Sequence, residues 1–185
     1  MKLMVIGYKR HGKDTFCEIL RDKYGISFAS SSETACDLFI FDKIKDRFGY
    51  ATKQECFDDR GNHRQLWYDE ICDYVKDDLT RLGRKIYERA DAYCGCRDDK
   101  EFYAMEDKSL FDLSIWVDGS ARKPPEDASS MKLSEKDAKI IANNNGDLVN
   151  LEKEVDRIYQ DYILPILKKE KTMQRKKEAE ASFSM

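Results

Sequence analysis

The chain has 185 residues, of which 41% are hydrophobic, 11% aromatic and 37% charged, and its formal net charge is −3. That length and mixture describe one globular domain with a sizeable core rather than a disordered chain, and the charge exerts no global pull on nucleic acid or an anionic membrane. No apolar run approaches the roughly 20 residues of a membrane span, and the opening LMVIG is too short and too early for a signal peptide; a cytoplasmic protein with no membrane or direct nucleic-acid partner is expected, with a homodimer left open.

Lys2 to Gly7 is a short apolar run closed by glycine, and from Lys13 the residues Phe16, Ile19, Leu20 and Tyr24 recur at helical spacing, giving strand, loop and helix. Ile26 to Ala29 is a second short strand, after which Ser30-Ser31-Ser32-Glu33 offers a cap and an early acid for a helix to about Phe48. Leu66, Trp67, Ile71, Tyr74 and Val75 share one face of a helix from Arg64 to about Val75, and another helix covers Leu79 to Arg89. The pattern then returns to strands. Ala92 to Cys96 reads as a buried strand, Asp98 to about Asp107 as a short helix, and Leu113 to Val117 as a strand ending at Asp118.

Residues 119 to about 137, with Pro124-Pro125, serines and charges, look like a mobile excursion from the core, a candidate lid. Ala138 to Ala142 is a fifth strand, Asn143-Asn144-Asn145-Gly146 a turn, and Leu148, Leu151, Val155, Ile158, Tyr162 and Ile166 the face of a long helix with Pro165 near its end. Residues 1–167 thus form one domain, and 168–185 a charged tail that is solvated, partly helical or disordered, or else a contact arm. Strands alternating with helices imply an α/β fold with a mostly parallel sheet covered on both faces, whose ligands gather at the carboxyl ends of the strands. Gly7, Cys96 and Asp118 all fall at such ends.

The stretch GYKRHGKDT carries the chemistry. Gly7, Gly12 and Lys13 have the spacing of the phosphate loop G-x-x-x-x-G-K-[ST], with Asp14 in the hydroxyl position and Thr15 following it. It also follows a strand and opens a helix, as the mechanism requires. Glycines at 7 and 12 let the backbone approach phosphate oxygens closely, so the N–H groups of Lys9, Arg10, His11 and their neighbours can cradle an anion beside the positive end of the helix. Lys13 neutralises the β- and γ-phosphates of ATP, Thr15 offers a hydroxyl, and Asp14 either helps hold Mg2+ or caps the helix.

An acceptor bearing a phosphate calls for arginines, whose planar fork matches it. Arg60 and Arg64 flank Gly61-Asn62-His63, and Arg97 directly follows a strand at the ligand edge. Arg122 and Lys123 lie on the excursion, where closure would lay positive charge on the transferring group and exclude water. Asp118 resembles a strand-end magnesium acid, with capping as the alternative. Ser31 and its serine neighbours either contact substrate or cap a helix, and Trp67 and Tyr68 either stack on a base or pack in the core. His63 reads as structural. Cys17, Cys36, Cys56, Cys72, Cys94 and Cys96 include no C-x-x-C pair, and with His11 and His63 as the two histidines they read as reduced thiols rather than a zinc site.

Taken together, GYKRHGKDT, FASSSE, CFDDRGNHRQLWYDEIC, AYCGCRDDKEF and IIANNNGDLVNLEKEV resemble the deoxynucleoside monophosphate kinases of tailed bacteriophages, over roughly residues 1 to 165. The resemblance implies a three-layer phosphate-loop fold with a five-stranded parallel sheet, a monophosphate-binding insertion and a lid. It implies transfer of the γ-phosphate of ATP, with Mg2+, to a deoxynucleoside monophosphate for phage DNA synthesis. GKDT is ordinary in that family, whereas Asp98, Asp99 and Lys100 replace a more basic stretch. A kinase for another phosphorylated small molecule, of the coenzyme A precursor type, and a non-catalytic nucleotide-binding interaction protein are the alternatives.

Overall fold

The computed structural model describes residues 1–126 and 130–183, so 127–129 of the expected lid and 184–185 of the expected tail lie outside the described residues. Five strands, β1 (Leu3–Ile6), β2 (Phe28–Ser30), β3 (Ala92–Cys94), β4 (Leu113–Asp118) and β5 (Ile140–Asn143), form one sheet in the order β2-β3-β1-β4-β5 with every pairing parallel. Each parallel neighbour demands a crossover, and helices supply them. The helices are α1 (Lys13–Tyr24), α2 (Ser31–Ala35), α3 (Phe41–Phe48), α4 (Lys53–Asp58), α5 (Arg64–Val75), α6 (Arg81–Tyr87), α7 (Asp99–Asp107), α8 (Leu148–Ile158) and α9 (Leu164–Phe183).

Alternation along the strands sends successive side chains to opposite faces. Leu3 and Val5 pack with Phe16 and Leu20 of α1 and Leu151, Val155 and Ile158 of α8, whereas Met4, Ile6 and Trp116 pack with Leu82 and Ile86 of α6 and Phe102 and Met105 of α7. Both faces are thereby covered, giving three layers. A separate apolar cluster of Ala35, Ile40, Ile44, Cys56 and Trp67 holds α2 to α5 together as an insertion between β2 and β3.

The serine cluster caps as expected: Ser30 Oγ accepts the N–H of Glu33 at 3.1 Å. The helix to Phe48 is interrupted by a π-helical turn, Cys36–Ile40, between α2 and α3. Sequence reading assigns nothing between Gly49 and Arg60, yet Thr52 and Glu55 form a capping box that starts α4; the T-x-x-E spacing was its signal. Pro165 does not end the last helix. It follows a π-helical turn, Tyr159–Ile163, and α9 runs on to Phe183, because the wider turn before the proline relieves the loss of its N–H and the ring's clash with the preceding turn. The excursion after β4 is anchored at its return: Met131 and Leu133 are buried against the α6–α7 face, and Lys132 N–H donates to Arg97 O at 3.0 Å. Among the described residues no helix is long and apolar enough to cross a membrane.

Candidate functional site

Register aligns the carboxyl ends of the strands. Ile6 pairs with Trp116, Val5 and Ser30 both pair with Cys94, and Asp118 pairs with Asn143, so Gly7, Ser31, Gly95, Gly119 and Asn144 emerge along one edge.

The Gly7–Thr15 loop is fixed by close approach. A Cβ on Gly7 (φ 148°) would stand 2.6 Å from Val117 O, and one on Gly12 (φ 90°) 2.1 Å from Asn144 Nδ2. Arg10 adopts a left-handed φ of 63°, a conformation that favours glycine. The first N–H groups of α1 have no intrahelical partners, as in any helix, and among the described residues no side chain caps them at Gly12. The Lys13 stem runs between two glycines: its Cγ and Cε lie 3.4 and 3.8 Å from where Cβ atoms on Gly7 and Gly95 would be. Lys13 Nζ donates to Tyr8 O at 3.1 Å, and the residue is 7% exposed.

His11 is fully buried, and both of its ring nitrogens are engaged within the protein. Gly119 N–H donates to its Nδ1 at 3.0 Å and Nε2 lies 3.1 Å from Lys123 O, which fits the tautomer protonated at Nε2. Its ring thus ties the loop to the root of the excursion, and its main-chain N–H is already taken by Tyr8 O at 3.2 Å. Asn144 adds a second tie that sequence reading passed over as part of a turn. Its Nδ2 donates to His11 O at 2.8 Å and its N–H to Asp118 O at 2.7 Å, with the residue 4% exposed. Three consecutive asparagines after a strand were more than a turn requires.

Asp118 is engaged in the same knot. Its carboxylate accepts Asn145 Nδ2 at 2.7 Å and Ser120 N–H at 3.0 Å. Burial pushes its acidity down, but these hydrogen bonds outweigh burial and hold the carboxyl below its usual range. Asp14 is exposed on the first turn of α1, with Cys94 Sγ donating to its Oδ1 at 3.4 Å. A cavity of about 350 Å³ opens beside the loop, lined by Gly12, Lys13, Thr15, Arg122, Asp147 and Leu148. Arg10 and Asp14 also border it.

Cations from outside the loop gather beside Lys9 within it. Arg97 Nη1 reaches both Glu126 oxygens at 3.0 and 3.1 Å, and Glu126 also accepts Lys9 N–H. The nearby Arg64 guanidinium, ahead of slight burial and of Arg10 and Arg97, draws the Lys9 ammonium below its usual value, with Glu126 opposing. Lys9, Arg64 and Arg97 therefore converge from the loop, from α5 and from the β3–α7 turn. Arg60 does not join them, since Nη1 donates to Phe57 O at 2.7 Å and the guanidinium lies 3.8 Å over the Phe57 ring. Trp67 packs in the insertion core, 6.4 Å from the Phe57 ring, and its buried indole N–H has no hydrogen-bond partner among the described residues. Tyr68 is exposed.

Ser31 meets a relay the sequence did not disclose. On the neighbouring strand the buried Tyr93 phenol donates to Glu101 Oε1 at 3.1 Å. Burial, with a smaller push from Asp98, raises the Glu101 carboxyl to about 7, although hydrogen bonds from Tyr93 and Cys96 work against it.

No protein-family model matches the chain, and no curated protein sequence does. Solved structures similar to it include a gluconokinase from Sinorhizobium meliloti (13% identity, 89% of this chain and 96% of that one, TM-score 0.43). Two others are a shikimate kinase from Bacteroides thetaiotaomicron (16%, 86% and 96%, TM-score 0.44) and a sugar kinase from a Janibacter species (12%, 86% and 92%, TM-score 0.45). These likenesses are remote, and the fold assignment stands on the chain itself: with a parallel sheet ordered β2-β3-β1-β4-β5 and a glycine-bounded loop joining β1 to α1, the protein has the three-layer α/β phosphate-loop fold.

Proposed function

We propose that the chain is a kinase that transfers the γ-phosphoryl group of ATP to a deoxynucleoside monophosphate, giving ADP and the diphosphate and supplying precursors for phage DNA synthesis. The observation that carries this reading is the approach of Arg64 and Arg97 to Lys9 of the phosphate loop at one sheet edge, with Arg97 linked to the Lys9 N–H through Glu126. A nucleotide-binding or hydrolysing protein needs the loop alone, whereas a cationic cluster beside it suits an acceptor that is itself a phosphate. The choice of a deoxynucleotide among such acceptors rests on the sequence resemblance.

In this reading the α1 N-terminus and the loop N–H groups hold the donor phosphates, with the base in the cavity between Arg122 and Leu148. Lys13, held against Gly95, presents its charge to the transferring group from a fixed stem, at little cost in reorganisation. Arg97 and Arg64 orient the acceptor phosphate for in-line attack, and Arg122 adds charge from the excursion. In this reading Asp14, at the start of α1, and Asp118, at the end of β4, would hold magnesium directly or through water, although among the described residues no three or more His, Cys, Asp or Glu side chains cluster as a metal site. Bound there, it would supply positive charge against the charge that develops during transfer. In this reading Ser31, just past the end of β2 on the same sheet edge, contacts the acceptor sugar or phosphate.

The test is ADP release measured across the common deoxynucleoside monophosphates and other phosphorylated acceptors. Release that depends on a deoxynucleoside monophosphate is expected; release driven better by another acceptor, or ATP binding without any acceptor-dependent release, would replace this reading with one of its two alternatives.

A further inference from the structure

Glu126 holds an unusual place for an acid. Its carboxylate accepts the main-chain N–H of Lys9 inside the phosphate loop, and it grips Arg97 Nη1 with both oxygens at 3.0 and 3.1 Å. The side chain is 15% exposed, although residues 121–125 before it are exposed. Arg97 Nη1 has a further acceptor in Ser130 O at 3.2 Å, from the far side of the same excursion. Burial pushes the Glu126 carboxyl up, but the Arg97 and Lys9 hydrogen bonds and the charges of Arg97 and Lys13 outweigh it, so the group stays anionic.

A delocalised, negatively charged set of oxygens bound by a phosphate-loop N–H and by a guanidinium has the contacts of a phosphoryl group. One contact comes from the donor loop and the other from the strand-end arginine assigned to the acceptor, so the carboxylate stands in the space that a transferred group must cross. We infer that Lys9 N–H and Arg97 form an anion site for a substrate phosphoryl group, that Glu126 fills this site in the ligand-free chain, and that ligand binding displaces it. The inference rests on the loop being a phosphate cradle and not on the identity of the acceptor. Two anions cannot share the site, so apparent phosphate affinity is reduced by the fraction of chains in which Glu126 occupies it.

The test uses the full chain, with inorganic phosphate and tripolyphosphate as probes, no acceptor present, and binding read by calorimetry and by thermal shift. Glu126→Gln is expected to bind both probes about 3- to 10-fold more tightly than the parent chain, as befits removal of a partly exposed ion pair. Glu126→Asp separates occupancy from the mere field of a nearby charge: it keeps the charge but withdraws the carboxylate by one methylene, and it should also bind more tightly. Adding Arg97→Ala to Glu126→Gln should abolish the gain. Unchanged or weaker binding by Glu126→Gln, parent-like binding by Glu126→Asp, or no binding by any form would overturn the inference. Turnover has no part in the readout, so an absence of acceptor-dependent ADP release would sink the kinase reading and leave this one standing.

Discussion

Gly12→Ala probes the loop where its geometry is tightest. The new Cβ would lie 2.1 Å from Asn144 Nδ2, and Asn144 is pinned by its own N–H to Asp118 O at 2.7 Å. The Asn144 side chain would have to leave, breaking its 2.8 Å bond to His11 O in a buried place. An orphaned buried polar group costs about 1–3 kcal/mol, and a non-glycine residue in a left-handed conformation about 1–2 kcal/mol, so a loss of about 2–5 kcal/mol is expected. Gly25→Ala is the control. Its φ is 71°, but nothing lies within 4 Å of the added Cβ, so only the backbone cost of about 1–2 kcal/mol should appear. Urea unfolding of both variants, with ATP affinity measured by calorimetry, gives the comparison. Gly12→Ala should also weaken ATP binding at least about tenfold, which equals roughly 1.4 kcal/mol, while Gly25→Ala leaves it intact. Equal stability losses would refute the Asn144 contact, and undiminished ATP affinity in Gly12→Ala would refute the cradle.

Arg97→Lys keeps charge but loses the planar fork; its Michaelis constant for the monophosphate should rise about 10- to 150-fold, or about 1.5–3 kcal/mol, while that for ATP barely changes. Equal effects on both substrates would remove Arg97 from the acceptor side. Glu101, raised by burial from 4.5 to about 7, contributes stability that is fully present below about pH 4.5 and lost as pH rises through about 7. Denaturation at several pH values should therefore show Glu101→Gln gaining on the parent chain by on the order of 2–3 kcal/mol between pH 4.5 and pH 8; a gap that does not change with pH would contradict the burial. Deleting residues 168–185 should leave turnover unchanged and cost at most about 1 kcal/mol, because Ile163, Ile166 and Leu167 remain and the Glu170 bridge to the N-terminal amine at 2.7 Å is exposed on the Glu170 side.

Most of the sheet was legible because its strands are apolar runs with turn residues at their ends, as in LMVI before Gly7 and LSIWV before Asp118. Helices with an unbroken face, α1 and α8, were equally plain. Short elements held by local chemistry were harder. The Thr52–Glu55 box starts a helix of only 6 residues, too brief for periodicity to register. Pro165 misled because the remedy lies in the π-helical turn before it, which no local residue preference announces. At the site, the place of the loop between β1 and α1 and of Arg97 after β3 could be read from spacing and position alone. The roles of His11, Asn144 and Glu126 could not, because each depends on a partner more than 100 residues away in sequence: Gly119 and Lys123, His11, and Lys9 respectively. A buried histidine satisfied at both nitrogens and a catalytic one look identical in a sequence. The anchoring of Met131 and Leu133 was hidden in the same way, by polar neighbours that made the segment read as wholly solvated.

The most direct measurement follows the phosphoryl group itself: ATP labelled at the γ-phosphate is incubated with the chain and a deoxynucleoside monophosphate, and the label is traced into products, with Lys13→Ala in parallel. The account predicts label in the deoxynucleoside diphosphate in equal amount to the ADP formed, none without acceptor, and a large loss with Lys13→Ala at unchanged folding stability. Label released only as inorganic phosphate, or transfer undiminished by Lys13→Ala, would contradict it.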